Sequence, residues 1–262
     1  MPIRSALQEE LTRKNMETKL SLDILPQPDE VTCGPTCLQA VYRYYGEDIP
    51  LDQVIAEVPM LKSGGTLGVW LACHALKRGY RVTIYTYKLQ IFDPSWFPAD
   101  GEAIAERLKA QLAEKDDPKL RTATKAYLEF FSLGGKLKLA DLTPALIRRY
   151  LKKEIPIITG LSATFLYRSP REFGPKCDYD DIRGEPSGHF VVLCGYDLKT
   201  REVLIADPLH TNFLGAGQNY RSPIARVINA ILLGVLTYDG NLIIIEPPLH
   251  RKESHANPDR RR

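Results

Sequence analysis

The spacing of apolar positions changes period several times along the chain, and those changes divide it. Leu38, Val41, Tyr42 and Tyr45 recur at three- and four-residue steps, which predicts a helix with one buried face. Pro35 suits its first turn, where a missing N–H has no intrahelical partner, and Gly46 ends it. Two further helical patterns follow: IPLDQVIAEV, entered through Pro50, and GGTLGVWLACHALKRGY, capped by Thr66 and closed by Gly79. RVTIYTY alternates with a period of two and reads as a strand. IFDPSWFPAD is a proline-broken loop whose aromatics read as exposed. Helical patterns resume over 102–114, 118–132 and 143–153, with Tyr127, Phe130 and Phe131 as core, so residues 88–154 read as a helical insertion.

Beyond it IPIITGL is a strand, and HFVVLCGYD and EVLIAD flank a polar turn at 198–201 and form a hairpin. Ile224, Val227, Ile228, Ile231 and Leu232 give a last helix before the strand NLIIIEPP. At the other end, Ile3, Leu7 and Leu11 suggest a surface helix within 3–19. The class is α+β: one domain over 1–249 with an insertion, and a basic, disordered tail at 250–262.

Charge alters this picture little. The net charge is +3, and the tail accounts for all of it, with five Lys or Arg against two acids. HRKESHANPDRRR has no interleaved aromatics, so no nucleic-acid partner is expected. MPIRSALQEELTRKN lacks the apolar core of a signal peptide, and the apolar region 224–238 is interrupted by Arg226 and Asn229, which predicts a soluble, cytoplasmic protein with no membrane partner. Five cysteines, odd in number and irregularly spaced, fit reduced thiols better than a disulfide framework. There is no CxxC pair, and Ile182 interrupts the acids Asp178, Asp180 and Asp181 where a calcium loop needs a ligand. Neither a metal nor another cofactor is expected.

Candidate chemistry concentrates where the proline-rich lead-in from Leu25 runs into Cys33-Gly34-Pro35. Cys33 falls at a helix N-terminus, where unpaired N–H groups and the positive end of the macrodipole stabilise an anion such as a thiolate. Gln27, on the extended lead-in, can fold back and donate to an oxyanion forming on an attacked carbonyl. A thiol needs a base, and the base needs an orienting group. His189 opens one strand of the predicted hairpin and Asp207 closes the other, which makes them neighbours. Cys37, one turn beyond Cys33, reads as a buried inert thiol and His74 as a packing histidine; His210 reads as a solvated loop histidine beside the cleft. The loop 167–188, rich in Gly, Pro and charge, precedes His189 and is expected to shape substrate entry, with Arg168 and Arg171 as candidate substrate-binding residues.

Gln27, then Cys33-Gly34 opening a helix, then Gly188-His189-Phe190 and Ala206-Asp207-Pro208 resemble the papain-fold cysteine peptidases that cut double-glycine leaders from bacteriocins, and more distantly the phytochelatin synthases. The resemblance covers 21–87 and 155–247. It implies a papain-like fold, a helical half packed on an antiparallel sheet half, with Cys33 as nucleophile, His189 as base, Asp207 as its orienting partner and Gln27 as oxyanion donor. It also implies a peptide or protein substrate cleaved through a thioester. The exporter-linked peptidases are joined to membrane and ATPase domains, which this sequence lacks, so leader processing during export is not expected. Transpeptidation with the same triad, a silent peptide-binding module and a redox or metal role for Cys33 and Cys37 are the alternatives. Oligomeric state is not readable.

Overall fold

The computed structural model describes residues 17–248 except 63, 175, 212–213, 215–216 and 238–239. The basic tail and most of the expected N-terminal helix lie outside the described residues. Of that segment, Glu17–Lys19 forms a strand, β1, where a helix end was expected, because β7 offers it an open backbone edge.

The sheet is built on β7 (Gly188–Asp197), whose interior positions are all buried. β4 (Ile157–Ser162), buried throughout, pairs with its first half, and β1 continues the same edge along its second half. β8 (Glu202–Ala206) covers the other edge, followed by β9 (Asn219–Pro223). On the far side of β4 come β10 (Asn241–Glu246) and β2 (Arg81–Thr86), all antiparallel, and then β3 (Lys136–Lys138), which runs parallel to β2. The apolar run Leu242–Ile245 of β10 has no alternation because this strand lies inside the sheet with both faces covered.

The helical half is centred on α1 (Cys33–Tyr44). A single buried face was expected; instead every residue from Cys33 to Tyr42 is buried, since β7, α2 (Leu51–Glu57) and α3 (Gly68–Lys77) enclose it. The Thr36 hydroxyl donates to Thr32 O at 2.8 Å and Gln39 Nε2 to Ile49 O at 3.1 Å, while Gln39 Oε1 is buried without a partner. Gly46 has φ 76° and closes the helix with a pair of reversed bonds, Gly46 N–H to Arg43 O and Glu47 N–H to Tyr42 O. Thr66 does not cap α3, whose cap is Leu67; its hydroxyl donates to Pro59 O at 2.7 Å and ties down the preceding loop.

The insertion contains α4 (Gly101–Glu114), α5 (Pro118–Ser132) and α6 (Pro144–Leu151), close to the three predicted helices. It also supplies β3, unforeseen because three residues of Lys-Leu-Lys carry no strand pattern of their own. Phe92, read as exposed, is buried edge-on against Tyr127, their centroids 4.7 Å apart. Beyond β4 comes α7 (Ala163–Tyr167), and a small hairpin of β5 (Glu172–Phe173) with β6 (Asp178–Tyr179) gives structure to the loop expected over 167–188. After β9, α8 (Ile224–Leu233) packs on β4. The result is an α+β, papain-like architecture with an inserted helical region.

Candidate active site

Cys33 is the first residue of α1 and is 8% exposed. The first bond of the helical ladder runs from Thr36 N–H to Thr32 O, so the N–H groups of Cys33 and Gly34 lie ahead of it. Gly34 is dictated by packing: a Cβ there would come 2.6 Å from the Thr66 methyl group. A larger residue would push the thiol-bearing turn away from the sheet.

The hairpin of β7 and β8 stops pairing at Val192 opposite Ala206, and the next residues diverge to become a site. His189 Nε2 lies 2.9 Å from Asp207 Oδ1. Asp207 is fully buried, and each of its carboxylate oxygens is occupied. Oδ1 also accepts from Leu209 N–H at 2.9 Å, while Oδ2 accepts from the Tyr167 hydroxyl at 2.6 Å and the Tyr220 hydroxyl at 2.7 Å. Burial by itself would raise the Asp207 pKa, but the imidazolium of His189 and these hydrogen bonds outweigh it and hold the carboxyl below its usual range.

The same competition runs in the opposite sense at His189. Burial favours the neutral ring, yet the negative charge of Asp207, the neighbouring Cys33 and the hydrogen bond to Asp207 push its pKa up to about 10. With Nε2 on Asp207, Nδ1 is the ring nitrogen left for Cys33. The imidazole and carboxylate are thus hydrogen-bonded, and Cys33 lies near enough to act on the charge of the ring.

Residues 19–229 match the sequence profile of the Peptidase C39 like family, which is most of the chain. The chain belongs to this family. Membership makes it a hydrolase of the cysteine-peptidase type. No curated protein matches it. Among solved structures it is similar to a double glycine motif protease from an AMS/PCAT transporter in complex with the leader peptide, at 16% identity over 88% of this chain and 94% of that one, TM-score 0.42. It is also similar to the peptidase domain of Streptococcus ComA, a bi-functional ABC transporter involved in a quorum sensing pathway, at 15% identity over 86% and 98%, TM-score 0.40. Xylellain, a cysteine protease from Xylella fastidiosa, matches at 15% identity over 88% and 85%, TM-score 0.39.

In this C39-like chain Gln27 is anchored next to Asp207, because its backbone N–H donates to Pro208 O at 2.9 Å. Its side-chain amide donates to Asp29 O at 2.7 Å, a bond that uses one of its two N–H groups, while Oε1 is buried without a partner. A cleft of about 740 Å³ opens on Cys33, bordered by the loop at 60–67, Ser187, Gly188 and Phe190.

The two loop arginines behave differently from one another and neither borders this cleft. Arg168 is exposed in a left-handed conformation, φ 56°, as the cap of α7. Arg171 donates to Asp181 O at 2.6 Å and Ile182 O at 3.3 Å, so its guanidinium holds the loop together. Glu172, Ser187 and Gly188 are the parts of that loop region that border the cleft. Cys37 is buried and donates to Phe190 O at 3.3 Å; burial raises its pKa well above the ordinary thiol value. His210 is exposed on its loop. Among the described residues no cluster of His, Cys, Asp or Glu has the arrangement of a metal site.

Tyr167 and Tyr220 are the members of the candidate site that sequence reasoning missed. A buried aspartate demands donors, but these two come from 40 and 13 residues away. The only signal was the need itself.

Proposed function

We propose that the chain is a cysteine peptidase or amidase in which Cys33, His189 and Asp207 cleave a peptide bond through a thioester. The observation that carries this reading is His189, hydrogen-bonded to a fully buried carboxylate, with Cys33 near enough to act on the charge of its ring. The Cys33 thiolate attacks the substrate carbonyl carbon. Negative charge moves onto the carbonyl oxygen, where the N–H groups at the head of α1 and the second N–H of Gln27 stabilise it. As the tetrahedral adduct collapses, the C–N bond breaks and the His189 imidazolium gives its proton to the departing amine. His189, now neutral, takes a proton from water as that water attacks the thioester; the acid leaves, and the thiolate and imidazolium are restored. Asp207 holds the ring in one orientation and stabilises its charged form throughout.

Residues 1–249 act in this reading as one domain bearing its insertion, on a peptide or protein substrate. No helix among the described residues is long and apolar enough to cross a membrane. A cytoplasmic setting is part of the proposal, and what supports it is that Cys37, Cys73 and Cys194 each donate an S–H hydrogen bond to a backbone carbonyl, as reduced thiols do.

The test sets activation against access. Cys177 is exposed, whereas Cys33 is nearly buried. Burial and the neighbouring Glu172 carboxylate raise the Cys177 pKa, which keeps that thiol protonated near neutral pH. Limiting iodoacetamide near neutral pH, read by mass spectrometry, is expected to label Cys33 first. Labelling of Cys177 ahead of Cys33 would mean that access alone decides, and would overturn the assignment of Cys33.

A further inference from the structure

The insertion is docked on the helix that borders the cleft. Cys73 on α3 donates to Ala126 O on α5 at 3.7 Å, and Lys77 on α3 pairs with Glu129 on α5 at 2.7 Å. Residue numbers on the two helices rise together through these contacts, so the helices run in parallel and their N-terminal turns meet at the same end. At that end Trp70 of α3 and Pro118, Thr122 and Ala123 of α5 line the same cleft as Cys33. The insertion therefore supplies a wall of the site.

That wall is mainly apolar, with Lys119 and Thr122 of α5 as its polar members. Trp70 is half-buried and packs on the core, Ala123 is 2% exposed, and Phe190 and Leu236 close the cleft from the sheet side. A space of about 740 Å³ holds several residues of an extended peptide with their side chains. Glycine has nothing to place against such walls, while a long aliphatic or aromatic side chain would remove its own apolar surface and that of Trp70 from water.

Resting on the peptidase reading above, we infer that Trp70 and the first turn of α5 form a specificity subsite for a bulky apolar side chain, Leu, Met or Phe, beside the scissile bond. Thr122 is the residue through which to test it. It is half-buried and lines the cleft, and its hydroxyl bonds back to Pro118 O at 2.9 Å, so a larger side chain there takes up cleft volume.

A mixed peptide library is digested with the wild type, Thr122→Trp and Trp70→Ala, and the residues flanking each cut are counted by mass spectrometry. Labelling of Cys33 by iodoacetamide is followed in all three proteins as a report on the intact catalytic corner. The wild type is expected to enrich Leu, Met or Phe roughly tenfold or more at one flanking position, the scale set by a few methylenes in an apolar pocket. Thr122→Trp should shift that position to Gly or Ala, and Trp70→Ala should flatten the preference, with Cys33 labelling unchanged. Unaltered preference in both variants, or a wild type that favours glycine at every flanking position, overturns the subsite and leaves the peptidase reading standing. A wild type whose Cys33 labels but which cuts no peptide overturns the peptidase reading and the subsite with it.

Discussion

Two buried histidines in this molecule each touch a carboxylate, and only one of them keeps a ring nitrogen for Cys33. His74 Nε2 meets Glu57 Oε2 at 2.8 Å, much as His189 meets Asp207 at 2.9 Å. Tyrosines stand beside both. At His74, however, the Tyr42 hydroxyl occupies the remaining ring nitrogen, Nδ1, at 2.7 Å, so neither nitrogen can serve a nucleophile. The carboxylates differ as well: the Glu57 side chain is 41% exposed, whereas that of Asp207 is wholly buried. Water screens the first and not the second. Burial therefore wins at His74 and lowers its pKa, with Arg78 and Lys77 adding to the effect against Glu57; at His189 the charges win and raise it. What sets the His189 pair apart, and suits it to the proposed role, is a buried, fully bonded carboxylate and a second ring nitrogen that no tyrosine occupies.

The largest expected effect comes from deleting each histidine in turn. His189→Ala should reduce peptide turnover by roughly 10⁴-fold or more, as loss of a triad member does, in a protein that still folds. His74→Ala should leave turnover nearly unchanged but cost about 1–3 kcal/mol in urea unfolding, because the buried Tyr42 hydroxyl loses its partner. Equal losses of activity would erase the distinction. Next in size is Gln27→Ala, expected to lower kcat by roughly a hundred- to a thousandfold with little change in stability, the scale of one lost oxyanion donor. Unchanged kcat would mean that its amide stays turned to Asp29.

A smaller effect belongs to Tyr220→Phe. The hydroxyl is one of the donors that hold the Asp207 carboxyl below its ordinary range, so its removal should move the acid limb of the rate profile to higher pH. The change should cost about 1 kcal/mol of stability, the worth of one buried hydrogen bond. An unmoved acid limb would show that Tyr167 and Leu209 hold Asp207 without help.

Much of the candidate site's placement was legible in sequence because its parts are local. Cys33 follows from a helix start, and the approach of His189 to Asp207 follows from a hairpin whose turn is visible. The three insertion helices were legible for the same reason, as each carries its own apolar period. What was not legible depends on long-range closure. The burial of α1 on every side needs β7 and α3, and β3 is a strand only because β2 offers an edge. Tyr167 and Tyr220 serve Asp207 from separate elements. Arg171 looked available as a charge beside the cleft, but backbone carbonyls ten and eleven residues on claim its guanidinium.

The two histidines also load stability in opposite directions. His189 takes up its proton more readily when folded, so its contribution is present below the ordinary pKa of about 6.5 and is lost as pH rises toward about 10. His74 resists protonation when folded, so its contribution is present above about 6.5 and is lost as pH falls below that value. NMR titration of both imidazoles, in the wild type and in Asp207→Ala, reads this contrast directly. The account predicts that His74 titrates below its ordinary value in both proteins, while His189 titrates near 10 in the wild type and clearly lower in the variant. Two histidines titrating together near about 6.5 in the wild type, with neither moved by the loss of Asp207, would contradict it.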